Sequence, residues 1–285
     1  MSRYAKDQPS GLKNTTERVA IVGAAGTIGA YITAALLQTG NHTITALTRE
    51  NSTNILPNGV IAAYIDYNDE SSIVSALKDQ QFLIITMAPT APRDTHRKLV
   101  QAAAKAGVPL AGGEQRFGFD LDNRSVTFYD DGTTKNSTST LSQVGRAVAK
   151  ILSLKELPVN EEDNSLTFSS FLNKPVNIKS FTISQKDMFE SVKRVTGTSD
   201  ADWIITYEST KKRYEEGMSL VKSGNMVGFS KLLYARAFFP EDPSDLSAKS
   251  QNDLLGLPEE SLGDATKAGI DLVKVLKGLT ERMAS

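Results

Sequence analysis

The sequence predicts an α/β fold built on a doubly wound parallel sheet, and three observations support this prediction. From residue 19 onwards, short apolar runs alternate with amphipathic segments, as in parallel sheets covered by helices on both faces. A glycine-rich turn follows the first apolar run directly. The alternation stops after residue 110, which predicts a smaller α+β C-terminal part.

The sheet elements are predicted in order along the first part of the chain. The apolar run 19–22 reads as a buried strand, and a helix follows over residues 27–38, which Gly40 is placed to end. Further strands are predicted at 43–47, 60–65 and 82–86 and from residue 108, with helices at 71–78 and 93–106.

The later elements follow a less regular order. Strands are predicted at 125–129, 166–171, 180–183 and 203–207, and helices at 141–154, 184–195 and 259–276. Residues 208–239 are predicted to be helical with a break near Gly224. Ser184 and Asp187 have the spacing of a helix capping box.

These elements predict three regions. Residues 1–18 are polar and are expected to form a flexible tail, residues 19–110 an NAD(P)-binding Rossmann half, and residues 111–285 a substrate-binding part. Residues 19–37 carry no charge, but their three glycines favour a strand, a turn and a helix over a membrane span. We expect a cytoplasmic protein without a signal peptide.

Composition excludes several function classes. The formal net charge of −1 gives no attraction to nucleic acid or to an anionic membrane, so neither is expected as a partner. The chain has no cysteine and only two histidines, which excludes disulfides and thiol catalysis and argues against a metal site.

The glycine-rich turn is the clearest functional motif. Gly23, Gly26 and Gly29 form a G-x-x-G-x-x-G pattern between a predicted strand and a predicted helix. The first glycine permits the tight turn, the second lets the backbone approach a pyrophosphate, and the third lets the helix pack on the sheet. The helix N-terminus favours the phosphate charge, so the turn predicts a dinucleotide-binding site.

The end of the second strand selects the cofactor. Arg49 stands where NAD-dependent enzymes usually place an acidic residue, and a guanidinium can pair with the 2′-phosphate of NADP. Ser52 can add a hydroxyl. NADPH (NADP) is therefore the expected cofactor, while the adjacent Glu50 keeps NAD open as the alternative.

Two further segments are expected to line the cleft, because ligands bind at the carboxyl ends of such strands. One follows the third strand, where it can flank the adenine, and the other follows the fourth strand, near the ribose and nicotinamide. Simple loop packing is the alternative for both. The complete set of predicted cofactor-binding residues is Gly23, Ala24, Ala25, Gly26, Thr27, Ile28, Gly29, Arg49, Ser52, Asp66, Tyr67, Met87, Ala88 and Pro89.

The chain resembles the NmrA-like and isoflavone reductase-like family of atypical short-chain dehydrogenases. The resemblance rests on VAIVGAAGTIGAYITAALL, LTRE, YIDYNDESSIVSALKDQQFLIITMA and HRKLVQAAAKAGVP, and it resumes in GGEQRFGFD, VTFYDDGTTKNSTST, GRAVAKILSL, KLLYARAFFP and LLGLPEESL. It implies an NADPH-binding Rossmann domain with a small substrate-binding part. The family includes reductases and also cofactor-binding regulators without catalytic activity.

The chain departs from the family pattern after Pro109 and Leu110. Members usually continue into a loop, a helix and a sixth strand, whereas this sequence proceeds directly to the family's later region. The family's catalytic lysine belongs to the missing segment, so the resemblance assigns no catalytic residue here.

Two other patterns have the residue types of a catalytic site. Tyr207 and Lys211 form a Y-x-x-x-K pattern, but they follow a late strand, so a surface turn is favoured over an acid–base pair. Asp130 and Asp131 are favoured as a solvated turn before Gly132 over a catalytic carboxylate pair.

The sequence therefore supports two functional hypotheses. The first is an NADPH-dependent oxidoreductase of the isoflavone reductase-like type that acts on a small organic substrate. The alternative is a non-catalytic NAD(P)-binding redox sensor that acts on a partner protein.

Overall fold

The computed structural model describes residues 4–11, 13–86, 117–225, 227–241 and 243–271. Its contacts divide the chain into two units. The first comprises residues 1–112, 141–178 and 253–257, and the second comprises 113–140, 179–252 and 258–285. Residues 141–178, expected in the C-terminal part, therefore group with the first unit. The expected boundary at residue 110 lies outside the described residues.

A parallel sheet with the strand order β3-β2-β1-β4 forms the centre of the first unit. The strands are β1 (Arg18–Val22), β2 (Thr43–Thr48), β3 (Val60–Tyr64) and β4 (Phe82–Ile85). They confirm the predicted strands to within one residue at each end, and with them the Rossmann-like fold. The strand predicted from residue 108 and the helix predicted at 93–106 lie outside the described residues.

The helices of this unit are α1 (Gly29–Thr39), α2 (Glu70–Leu77) and α3 (Leu141–Leu152). The first begins two residues later than predicted. The amide of Gly26 donates to the Gly23 carbonyl at 2.8 Å, so the chain is still in the turn at that point. Gly40 ends α1 in a left-handed conformation, as expected.

The alternation of β1 supplies both faces of the sheet with core residues. Val19 and Ile21 pack with Ile32 and Leu36 of α1, and Ala149 and Leu152 of α3 join the same cluster. On the opposite face, Ala20 and Val22 pack with Ile73 of α2. Burying one such aliphatic side chain stabilises the fold by about 1.5–3 kcal/mol.

Helix α3 joins the first unit because it packs closely against α1. A Cβ on Gly145 would lie 2.6 Å from the carbonyl oxygen of Tyr31, so only glycine permits this approach. The sequence placed α3 in the C-terminal part because its distance along the chain conceals this contact.

The prediction of a strand over residues 166–171 is wrong. A 3-10 helix, Phe168–Phe171, occupies most of this segment. The amide of Ser170 donates to the carbonyl of Thr167, and the Thr167 hydroxyl bonds to that of Ser169. Phe171 packs with Ala147 and Leu255. The short apolar run is therefore buried without pairing to a second strand.

The segment before β1 makes regular contacts within the first unit, although we expected a flexible tail. The amide of Ala5 donates to the Pro158 carbonyl at 2.8 Å, and Asn14 exchanges two hydrogen bonds with the backbone of Leu157. These bonds use backbone and amide groups, which leave no apolar signal in the sequence.

The second unit contains two small sheets. Strands β5 (Phe119–Asp120), β6 (Ser125–Tyr129) and β9 (Ile204–Glu208) form one sheet, and β7 (Asn136–Thr138) pairs with β8 (Phe181–Ile183) in the other. The helices are α4 (Gln185–Thr196), α5 (Thr210–Lys222) and α6 (Val227–Arg236). The capping box of Ser184 and Asp187 is confirmed, and so is the helix break near Gly224.

Two helices complete the description. Helix α7 is the short Asn252–Leu255. Helix α8 begins at residue 262, three residues later than predicted, and is helical up to the last described residue, 271. None of the helices within the described ranges is long and apolar enough to cross a membrane.

Candidate functional site: the glycine turn

The predicted site residues that the structure describes all follow the carboxyl ends of β1, β2 and β3. Because these strands are parallel and adjacent, the three loops emerge at one edge of the sheet. The strand order of the sheet reverses between β1 and β4, and open α/β sheets bind their ligands at such a point. Met87, Ala88 and Pro89 lie outside the described residues.

The glycine turn has the close approaches that its spacing predicts. Gly23 has a φ of +80°, and a Cβ there would lie 2.5 Å from the Thr86 carbonyl oxygen. A Cβ on Gly29 would lie 2.0 Å from the Gly23 carbonyl oxygen. Gly29 therefore lets α1 begin directly against the turn, as the motif predicts.

Gly26 is crowded less severely. A Cβ built there would lie 3.1 Å from the Gly23 carbonyl oxygen, so any side chain at this position would crowd the turn. The motif predicts that a glycine here lets a pyrophosphate approach the backbone, whereas the contact that the structure shows for a Cβ is with the backbone of the turn itself. The N-cap residue of α1 is Ile28, whose apolar side chain cannot accept a hydrogen bond from the first amides of the helix.

Two threonine hydroxyls bond to the turn, and neither residue was predicted as part of the site. Thr86 Oγ1 lies 2.9 Å from the Val22 carbonyl oxygen and 3.2 Å from that of Gly23. Thr33 Oγ1 donates to the Ala24 carbonyl oxygen at 3.2 Å. Thr86 ends the fourth predicted strand beside the turn, which is the only signal in the sequence; Thr33 gives none, since it lies inside a helix.

The loop after β2 exposes Arg49. Its carbonyl accepts a hydrogen bond from the amide of Ser52 at 3.0 Å, which closes a turn and keeps the two residues together. The Ser52 hydroxyl accepts a long hydrogen bond, 3.4 Å, from the amide of Asn54.

The loop after β3 places Tyr67 near Arg49. The Tyr67 ring is half-buried and packs against the cluster that contains Leu47 and Ile73. Burial raises the pKa of the Tyr67 phenol, and the Arg49 cation partly opposes this rise. The sequence predicted both residues separately, and the structure brings their side chains into electrostatic range.

Asp66 is part of the turn that starts α2. Its carboxylate accepts from the amide of Asn68 at 2.9 Å, and its own amide donates to the Ser72 hydroxyl at 2.9 Å. Asp66 therefore stabilises the loop on which Tyr67 stands.

The two alternative catalytic patterns have structural roles in the second unit. Lys211 forms an exposed ion pair with Glu241 at 2.8 Å, and Tyr207 is 64% exposed. Asp130 caps α5 by accepting from the amide of Thr210 at 3.1 Å, and Asp131 accepts from the amide of Thr133 at 2.9 Å. Among the described residues, no group of His, Asp and Glu could hold a metal ion.

The chain is similar to known proteins along its length. It is 23% identical to the oxidoreductase aprR of Aspergillus flavus over 320 positions, which cover 92% of this chain and 100% of the relative. Since 92% of 285 residues is fewer than 320, the relative contains residues with no counterpart here. This agrees with a missing internal segment.

Solved structures share the fold. The NADPH complex of the quinone oxidoreductase QOR2 from Escherichia coli superposes with a TM-score of 0.56 at 16% identity, covering 88% of this chain and 99% of that one. Isoflavone reductase superposes with a TM-score of 0.57 at 18% identity, covering 88% and 98%. The model of the NmrA-like family matches residues 15–110. The matched region contains the glycine turn and the parallel sheet.

Proposed function

We propose that the chain is an NADPH-dependent oxidoreductase of the isoflavone reductase-like type that reduces a small organic substrate. The observation that carries the proposal is the combination of the glycine turn after β1 with Arg49 after β2, at one edge of a parallel sheet. The first would bind a pyrophosphate and the second a 2′-phosphate.

The glycine turn provides the pyrophosphate site. Gly26 would let the pyrophosphate approach the backbone, and Gly29 brings the start of α1 against the turn. The partial positive charge of the helix N-terminus then faces the phosphates. Ala24, Ala25, Thr27 and Ile28 contribute the remaining backbone of this turn.

Arg49 provides the selectivity for NADPH over NADH. Its guanidinium is exposed at the end of β2, where it can pair with a 2′-phosphate through two parallel hydrogen bonds. Ser52 stands in the same turn and can donate a further hydrogen bond. The half-buried ring of Tyr67, which lies within electrostatic range of Arg49, can pack on the adenine.

The chemistry follows from the cofactor. NADPH supplies, when bound, a hydride for an unsaturated or carbonyl carbon of the substrate. The chain would contribute orientation of the cofactor and a cleft that excludes water. QOR2, named as an NADPH-dependent quinone oxidoreductase, and isoflavone reductase have the same fold.

The test is cofactor binding followed by turnover. Because a ligand that binds only the native state raises the melting temperature, NADPH, NADP, NADH and NAD are compared by thermal unfolding. Arg49→Ala should weaken NADPH about 10- to 100-fold, the value of a charge-assisted pair, and leave NADH unchanged. Arg194→Ala, an exposed arginine on α4, is the matched control and should change neither.

Turnover completes the test. The wild-type protein is mixed with NADPH and a panel of quinones, isoflavones, enones and ketones, and loss of absorbance at the nicotinamide band is followed. Tight NADPH binding with no oxidation by any member of the panel would contradict the reductase.

The second candidate is a non-catalytic NAD(P)-binding sensor that acts on a partner protein. The Y-x-x-x-K pattern favours this candidate, because its two residues do not form a catalytic pair. Lys211 forms an ion pair with Glu241, and Tyr207 is exposed in the second unit. A sensor should discriminate between NADPH and NADP without consuming either, which the same titrations measure.

A further inference from the structure

We infer that Thr33 and Thr86 are positioning residues that orient the peptide groups of the glycine turn towards the pyrophosphate of a bound dinucleotide. The inference rests on the proposed dinucleotide site and adds to it two residues, one in α1 and one directly after β4, whose hydroxyls bond to backbone carbonyls. It starts from the hydrogen bonds that these two hydroxyls make to the turn.

The two hydroxyls bond to three consecutive carbonyl groups. Thr86 Oγ1 shares its proton between the Val22 and Gly23 carbonyl oxygens, at 2.9 and 3.2 Å. Thr33 Oγ1 donates to the next carbonyl, that of Ala24, at 3.2 Å. The Gly23 carbonyl also accepts from the amide of Gly26 at 2.8 Å, so the carbonyls of Gly23 and Ala24 are both paired within the first unit.

Because the peptide group is planar and trans, these hydrogen bonds also determine where the neighbouring amides point. In a trans peptide the C=O and the following N–H point in opposite directions. Fixing the carbonyls of Gly23 and Ala24 therefore fixes the amides of Ala24 and Ala25 on the opposite side of the chain. Successive amides that point the same way form a concave site for an anion.

The elements that carry the two threonines lie directly against the turn. Thr33 is completely buried, and its helix begins at Gly29 directly against the turn. The amide of Thr86 donates to the Val22 carbonyl at 2.9 Å, in register with the β1–β4 ladder. A Cβ on Gly29 would lie 2.6 Å from Thr86 Oγ1, so the hydroxyl occupies the space that the third glycine leaves open. The glycine pattern and the two hydroxyls thus form one arrangement.

The experiment removes each hydroxyl and retains the shape of the side chain. Thr33→Val and Thr86→Val delete one hydrogen bond each, and Thr33→Ser and Thr86→Ser restore the hydroxyl. Thr45→Val is the control, since Thr45 is buried in β2 and its hydroxyl accepts from the Gln80 amide rather than bonding to the turn. Dissociation constants are measured by calorimetry for NADPH and for adenosine 2′-monophosphate, which lacks a pyrophosphate.

Each valine variant should bind NADPH about 3- to 10-fold more weakly, the value of one hydrogen bond, while its affinity for adenosine 2′-monophosphate stays unchanged. The serine variants should recover most of the NADPH affinity. If a valine variant does not fold, the pair Thr→Ser and Thr→Ala at that position differs by one oxygen and gives the same comparison.

The inference is overturned if either valine variant binds NADPH as tightly as the wild type, or if both ligands are weakened equally, which a general loosening of the unit would cause. These outcomes leave the proposed function intact, because the wild type still binds NADPH. A wild type that binds no dinucleotide overturns both.

Discussion

Each unit contains a glycine that lies so close to a backbone carbonyl that a Cβ could not fit, and the surroundings of the two glycines differ. In the first unit a Cβ on Gly29 would lie 2.0 Å from the Gly23 carbonyl oxygen, and in the second a Cβ on Gly118 would lie 2.1 Å from that of Thr127. Both sites bring two stretches of backbone closer than any side chain allows. They differ in the polar side chains that surround them.

In the second unit, a single side chain bonds to both a backbone amide and backbone carbonyls around the close contact. Gln185 is completely buried, accepts from the amide of Tyr129 at 2.6 Å and donates to the carbonyls of Phe117 and Thr127 at 2.8 and 3.0 Å. In the first unit, Thr33 and Thr86 donate to carbonyls of the turn. A close approach whose amides are paired inside the protein stabilises the fold, whereas one whose side chains hold carbonyls can present amides to a ligand.

The largest effect is expected when the close contact between Gly29 and the Gly23 carbonyl is disrupted. Gly29→Ala places a Cβ where the Gly23 carbonyl stands, so the turn must shift and the protein should lose about 3 kcal/mol of unfolding free energy. NADPH binding should be lost with it. Chemical denaturation and calorimetry measure both quantities.

Gly269→Ala is the matched control, since its Cβ meets nothing within 4 Å in the helical segment. It should stabilise the protein slightly or leave it unchanged. Equal NADPH affinity in Gly29→Ala and the wild type would refute the role given to the third glycine.

A smaller effect is expected at the corresponding place in the second unit. Gln185→Leu leaves buried backbone groups of Tyr129, Phe117 and Thr127 without this partner, at a cost of about 2–3 kcal/mol in unfolding free energy. NADPH affinity per folded molecule should stay unchanged. The exposed Gln38→Leu on α1 serves as the control and should change neither quantity. A loss of NADPH affinity in Gln185→Leu would show that the two approaches are not functionally separate.

The smallest effect is a pH dependence located in the second unit. Burial raises the pKa of Tyr129 to about 12, against the opposing cation of Arg213, whose guanidinium lies 4.9 Å from the ring centroid. Because the folded state keeps this proton longer than the unfolded state does, Tyr129 favours the folded state below pH 10 and loses that contribution as the pH rises towards 12. At pH 11 the loss should be about 1.4 kcal/mol relative to pH 8.

Denaturation of the wild type and Tyr129→Phe at both pH values measures this contribution, because lysine titration affects the two proteins alike. The variant should lack the extra loss at pH 11. An identical pH dependence in both proteins would contradict the raised pKa of Tyr129.

Within the first unit, the sequence predicted the parallel sheet and its first two helices more completely than the segments that pack around them. The four described strands and the helices α1 and α2 follow from apolar periodicity and turn residues, which are local signals. The 3-10 helix Phe168–Phe171 was predicted as a strand because a short apolar run carries no information about whether a partner strand exists. The bonds of Ala5 and Asn14 to the segment around Leu157 were missed because hydrogen bonds between distant backbone groups leave no pattern.

The same distinction holds within the site. Glycine spacing and the position of Arg49 after a strand are fixed by local geometry, so the sequence by itself determined the turn, the sheet edge and the choice of candidate cofactor. Only the tertiary structure placed α3 against α1 through Gly145, brought Tyr67 to Arg49, and set the hydroxyls of Thr33 and Thr86 on the carbonyls of the turn. The reason is physical: periodicity records which face of an element is buried, whereas the partner that meets that face is decided when distant segments pack together.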